Sequence, residues 1–238
     1  VGLNATAAGD SPNTPDSQIV NPTAGSYEID IAVNNPTSDD DSGSTRVAIV
    51  DNGTVTASVD TTFTFTVDAV GPGQTVNGTT TGASSTATTI EFGELVANTA
   101  STAAQDLTVV TNAANGFTVT VTSDGQLIST NGADIDGFRN GNFDSTPVAW
   151  ESPSATIGSE ETYGHWGLTS DDSDYFGSGE YVSASTTPVE IFAHTGPTDG
   201  STTGEGTTRV GYTAEISALQ EAANDYTATL TYVATPVF

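Results

Sequence analysis

The chemistry this chain offers is that of oxygen donors. Asp39-Asp40-Asp41, Asp134-x-Asp136-Gly137 and Asp171-Asp172-x-Asp174 each gather carboxylates within one short turn. Ca2+ takes about six to eight oxygen ligands, and acidic loops supply them. Asp39, Asp41, Asp134 and Asp136 are the candidate ligands, although none lies in a helix-flanked loop closed by a glutamate. The same runs also read as solvated acidic loops, so no obligatory cofactor is expected. Softer metals are poorly served: the chain has only His165 and His194 and no cysteine. Each histidine adjoins an apolar residue, which suits a structural or surface role. A nucleophile elbow of the G-x-S-x-G kind is absent from the sequence. Glu160-Glu161 are sequence neighbours and would point to opposite faces of a strand, whereas a glycosidase takes its two carboxylates from different elements. The chain is therefore expected not to be an enzyme.

Two other residue sets can recognise or carry sugar. Trp150, Tyr163 and Trp166 lie among acidic and polar neighbours. Aromatic faces with polar rims bind sugar rings, and the same residues equally plug loops onto a sandwich. Asn4-Ala5-Thr6, Asn52-Gly53-Thr54 and Asn77-Gly78-Thr79 are acceptor sequons, making Asn4, Asn52 and Asn77 candidate N-glycosylation sites.

The elements that must position these residues are strands. Residues 207–217 read TTRVGYTAEIS and 225–235 read DYTATLTYVAT. Val210, Tyr212, Ala214 and Ile216 share one face; Tyr226, Ala228, Leu230, Tyr232 and Ala234 share another. Alternation of this kind marks half-buried antiparallel sheet, and the two runs are expected to close the chain as a hairpin. Further strands are expected at 27–33, 45–50, 54–59, 61–70, 88–96, 105–111 and 116–124. Asn115-Gly116 is expected to turn the last two into a hairpin. Short strands with turn signals every ten or so residues predict an all-β, antiparallel β-sandwich of Greek-key or jelly-roll type. Alternation fades over about 125–206, where aromatic and acidic residues concentrate; this stretch reads as a loop-rich insertion. The expected division is an N-terminal arm at 1–26 and one sandwich domain at 27–238.

Charge narrows the partners. The formal net charge is −27, and Arg46, Arg139 and Arg209 are the only basic residues besides two histidines. Such a surface repels nucleic acid and anionic lipid. No run is long and apolar enough for a membrane-spanning helix. The opening VGLNATAAGD resembles a mature terminus left by signal cleavage, so an extracellular or cell-surface location is expected. In that opening Val1, Leu3, Ala5 and Ala7 alternate with Gly2, Asn4 and Thr6, and GDSPNTPDS follows as a linker. An alternating arm on a polar tether suits strand addition to a neighbouring copy, where main-chain bonds give affinity and side-chain pockets give register. Repeated head to tail, this contact grows a fibre. An arm paired within its own sheet, or left disordered, is the alternative.

Two resemblances bear on this. Trp166-Gly167-Leu168 within YGHWGLTSDD, TTIEFGELVAN, and the closing DYTATLTYVATP resemble the WxL-domain proteins of Gram-positive surfaces, over roughly residues 85–238. Tyr232-Val233-Ala234 stands where that family has its second W-x-L. This resemblance implies a cell-envelope protein holding wall polysaccharide, of WxL-like or S-layer type. The closing V-G-Y-x-A-E-I and D-Y-T-A-T-L-T-Y runs are similar to the ends of pilus-type sandwiches, including spore-coat-U-like and camelysin-type fibre proteins. That similarity implies an exported filament or pilus-like subunit of a biofilm, a homopolymer formed by donor-strand exchange.

Overall fold

A computed structural model describes residues 22–33, 41–51 and 53–238. The protein is all-β. It divides into two compact units, Val1–Val59 and Asp60–Phe238. The sequence placed this boundary near residue 26; it falls later because, among the described residues, strands β1 (Gly25–Val33) and β2 (Asp41–Ile49) pair only with each other.

That first pair is antiparallel along its length, from Gly25 opposite Ile49 to Val33 opposite Asp41. Ile29, Ile31 and Val33 line one face as expected, and they stay exposed, at 47%, 57% and 60%. Residues 54–59 alternate like a strand but form none; Val55 and Val59 stand 94% and 85% exposed. The Arg46–Glu28 ion pair at 2.7 Å is solvent-exposed, and such pairs contribute about 0–1 kcal/mol.

The second unit contains Phe63–Ala69 (β3), Thr75–Val76 (β4), Thr79–Thr80 (β5), Ser84–Ser85 (β6), Ile90–Glu91 (β7), Ser101–Thr111 (β8) and Phe117–Ser123 (β9). Then come Leu127–Ile128 (β10), Asp134–Gly137 (β11), Val148–Ala149 (β12), Gly164–Ser170 (β13), Glu180–Ser183 (β14), Val189–His194 (β15), Thr207–Ile216 (β16) and Leu230–Pro236 (β17). A 3-10 turn occupies Glu160–Thr162. The larger sheet runs β10-β11-β13-β16-β8-β3, with β14 and β12 attached at β13. The smaller runs β15-β9-β17. Leu107 and Val109 from one sheet and Phe117, Val119 and Val121 from the other are essentially inaccessible, and burying each such side chain contributes about 1.5–3 kcal/mol.

Three expectations are corrected here. The two closing runs are not a hairpin. β16 lies between β13 and β8 in the large sheet, while β17 pairs β9 in the small one. They face each other through the core, and the Tyr212 and Tyr232 hydroxyls hydrogen-bond across it. Likewise Asn115-Gly116 is an arch from β8 in the large sheet to β9 in the small one. Finally, 125–206 is no insertion: it supplies β10 to β15, including the fully buried β13. Residues 164–170 carry no alternation because both faces of this strand are covered.

Candidate functional site

Among the described residues, the two sheets leave free edges along one side of the sandwich: β3 pairs only β8, and β17 pairs only β9. Phe65 and Tyr232 meet edge to face with centroids 6.1 Å apart, so these two edges lie over one another. Backbone direction follows from the ladder, since successive residues bond to alternate sides. Val109 and Thr111 donate to Gly206 and Thr198, so the β8 residues that bond β3 are Thr108 and Val110, opposite Thr66 and Thr64. The amides and carbonyls of Phe63, Phe65 and Val67 therefore point to the open edge. On β17, Val237 exchanges bonds with Asn115 and Gly116, and the Thr229 carbonyl accepts from Asp124. The odd-numbered residues thus serve β9, and Leu230, Tyr232 and Ala234 present their backbone groups outward. Pro236 has the same parity, at a position where no ladder donor is needed. The side chains of these six residues pack on the core yet remain half-buried, unlike their fully buried counterparts on β8 and β9. Two open backbone edges and an incompletely covered core coincide.

A second constellation is acidic. Asp134 and Asp136 are two apart on β11 and so share a face. β11 runs parallel to β13, with Asp136 opposite His165. The 3-10 turn that immediately precedes β13 therefore sits beside the start of β11. This brings Glu160 to Asp134 and Asp136, one donor oxygen of each within 4.8 Å of the others. Asp136 is 5% exposed; Gln126 Nε2 donates to its Oδ1, and Oδ2 has no donor. Burial, then the Asp134 charge, pushes its carboxyl up to about 6. Glu160 is pushed up to about 8, first by a hydrogen bond shared with Asp134 and then by desolvation.

The other predicted site residues are placed as follows. Val1, Leu3, Ala5 and Ala7 lie outside the described residues, as do Asn4, Asn52 and Asp39. Asp41 opens β2 opposite Val33, in the other unit from Asp134 and Asp136. Asp171 and Asp172 hold backbone amides, of Asn77 for the first and of Ala193 and Asp174 for the second. Asn77 is a turn residue at φ 42° whose Nδ2 donates to Thr169 Oγ1 at 2.7 Å and to the Gly177 carbonyl at 2.8 Å. A glycan would replace one of the two hydrogens on that nitrogen and so break one of these bonds at least; both hydrogens serve the fold here.

The aromatic trio does not form a sugar platform. Trp166 is 2% exposed within the core. Tyr163 accepts the Gly158 amide through its hydroxyl. Trp150 stacks on Phe138, with centroids 4.7 Å apart and planes at 3°, and its Nε1 donates to Glu215. Phe138, Tyr181 and His165 complete this box. His165 Nδ1 accepts the Asn140 amide, so Nε2 carries the proton and donates to the Glu151 carbonyl at 2.8 Å. Desolvation lowers its pKa below 6.5. Its ring is therefore expected to become charged at a lower pH than an exposed histidine, and its neutral form to be the Nε2–H tautomer, as two-dimensional NMR would show.

No family model, curated protein or solved structure matches the chain.

Proposed function

We propose that the chain is a non-catalytic structural subunit that joins copies of itself by strand addition into an extracellular filament. The observation that carries this reading is the open side of the sandwich. Free backbone edges of β3 and β17 flank a core that Phe63, Phe65, Val67, Leu230, Tyr232 and Ala234 only half cover. An added strand would satisfy the outward amides and carbonyls and lower alternate side chains onto that core. The donor in this reading is the leading arm of a neighbour, with Val1, Leu3, Ala5 and Ala7 as the inward set. Its eight alternating residues suit the seven of β17. A contact of this kind is heterologous and propagates.

Light scattering and negative-stain imaging of the full chain, of a deletion of residues 1–10, and of Ala234→Pro test it. The full chain is expected to form linear assemblies, and both variants monomers with unchanged melting. Proline at 234 removes an outward amide and leaves the β9 ladder intact. Assembly by the deletion variant but not by Ala234→Pro would keep the acceptor and replace the donor. Assembly by Ala234→Pro, or single particles from the full chain, would overturn the proposal.

A further inference from the structure

The acidic cluster supports an inference independent of assembly. We propose that Asp134, Asp136 and Glu160 bind a divalent cation of the Ca2+ class, fastening β11 to the 3-10 turn. Two oxygens bound to one ion at about 2.4 Å can be no farther than about 4.8 Å apart, and the three carboxylates meet that limit. Asp136 supplies the second, independent observation. Its side chain is nine-tenths buried, yet Oδ2 meets no donor. A buried carboxylate oxygen left without a partner is costly, and other buried carboxylates here avoid it. Asp172 is equally buried and accepts two backbone amides.

Among the described residues, no lysine or arginine side chain is free to neutralise the cluster. The chain lacks lysine, and its three arginines pair elsewhere: Arg46 with Glu28, Arg139 with Asp144 and Glu151, Arg209 with Asp106. A neutral oxygen borders the same strand. Gln220 Nε2 donates to the Asp134 carbonyl, while Gln220 Oε1 is buried and unpartnered. Glu161 and Glu221 add negative charge around Asp136. An all-oxygen, acceptor-only set selects a hard cation, with waters completing the shell. The ion would strengthen a weakly paired corner, since β11 joins β10 and β13 through two residue pairs each.

Calorimetric titration of the metal-free full chain with CaCl2, at pH 7 in about 0.15 M NaCl to screen its diffuse charge, tests this. One saturable site is expected, with a melting temperature that rises with Ca2+. Asp136→Asn is expected to weaken binding at least tenfold while raising the ion-free melting temperature, since it removes a repelling charge. Glu160→Gln, outside the sheet, should weaken binding in the same way. Asp41→Asn should change neither. No saturable binding up to ~10 mM Ca2+, well beyond the usual range of extracellular sites, would overturn the proposal. So would unchanged affinity in Asp136→Asn and Glu160→Gln.

Discussion

Trp150→Ala is expected to destabilise the sandwich by about 3–5 kcal/mol, measured as a shifted urea midpoint. The ring is one wall of a closed box: it stacks on Phe138 and meets His165 and Tyr181 edge to face at 5.1 and 4.9 Å. Its removal leaves a cavity over the outer face of β13. It also removes the donor at 2.8 Å from Glu215 Oε2, and Glu215 is 3% exposed. Leaving a buried acceptor unpaired costs about 1–3 kcal/mol. Trp150→Phe separates the two contributions, because it refills much of the cavity and restores no donor; about half the loss should remain. A sugar-binding tryptophan would behave in the opposite way. Its alanine variant would keep the stability of the parent and lose affinity for glycan.

Local alternation was legible where one face is wet. Phe63, Phe65 and Val67 on β3, and Val119 and Val121 on β9, show their inward faces in the sequence alone. The central strand β13 was not legible. Trp166 and Leu168 enter the core, while on the other face His165 meets Phe138 and Trp150 edge to face, Gly167 abuts Phe138, and Thr169 bonds Asn77 and the Glu180 carbonyl. Gly167 has no room for a larger residue, since a Cβ there would stand 2.6 Å from the Val182 carbonyl oxygen. A strand covered on both faces keeps no polar phase, and this one reads as loop. Strand pairing was also hidden. The faces of 207–217 and 225–235 are the same whether the runs adjoin in one sheet or oppose each other across the core. The pairings of β16 and β17 and the Tyr212–Tyr232 contact distinguish these arrangements, and they need three dimensions.

The acidic site was half legible for a related reason. Asp134-x-Asp136 is visible because the two carboxylates are close in sequence, although the sequence reads them as a turn and they lie on β11. Glu160 joins it through the parallel pairing of β11 with β13, a contact between distant segments that no local spacing encodes. The open side of the sandwich left even less trace, since the residues along it alternate as any edge strand does.

Gly116→Ala should be the most damaging single-methyl change, costing about 4 kcal/mol or more, at the exceptional end for point substitutions. For a unit of this size that lowers melting by roughly 10 °C or more. Gly116 sits at φ 77°, where an added Cβ would fall 1.7 Å from the His194 carbonyl oxygen and 2.7 Å from the Gly196 nitrogen. Neither atom belongs to a flexible side chain, so the backbone itself must move. It moves against two ladders, because Phe117 pairs with His194 on one side and with Pro236 on the other. Asn115→Ala is the informative control. A two-residue hairpin of the Asn-Gly type requires positive φ at both positions, and alanine would then be costly at each. In the arch Asn115 is not among the positive-φ residues, so its replacement should cost less than about 0.5 kcal/mol. Strong asymmetry between the two variants is the signature of a chain that leaves one sheet for the other at Gly116; equal losses would place β8 and β9 side by side.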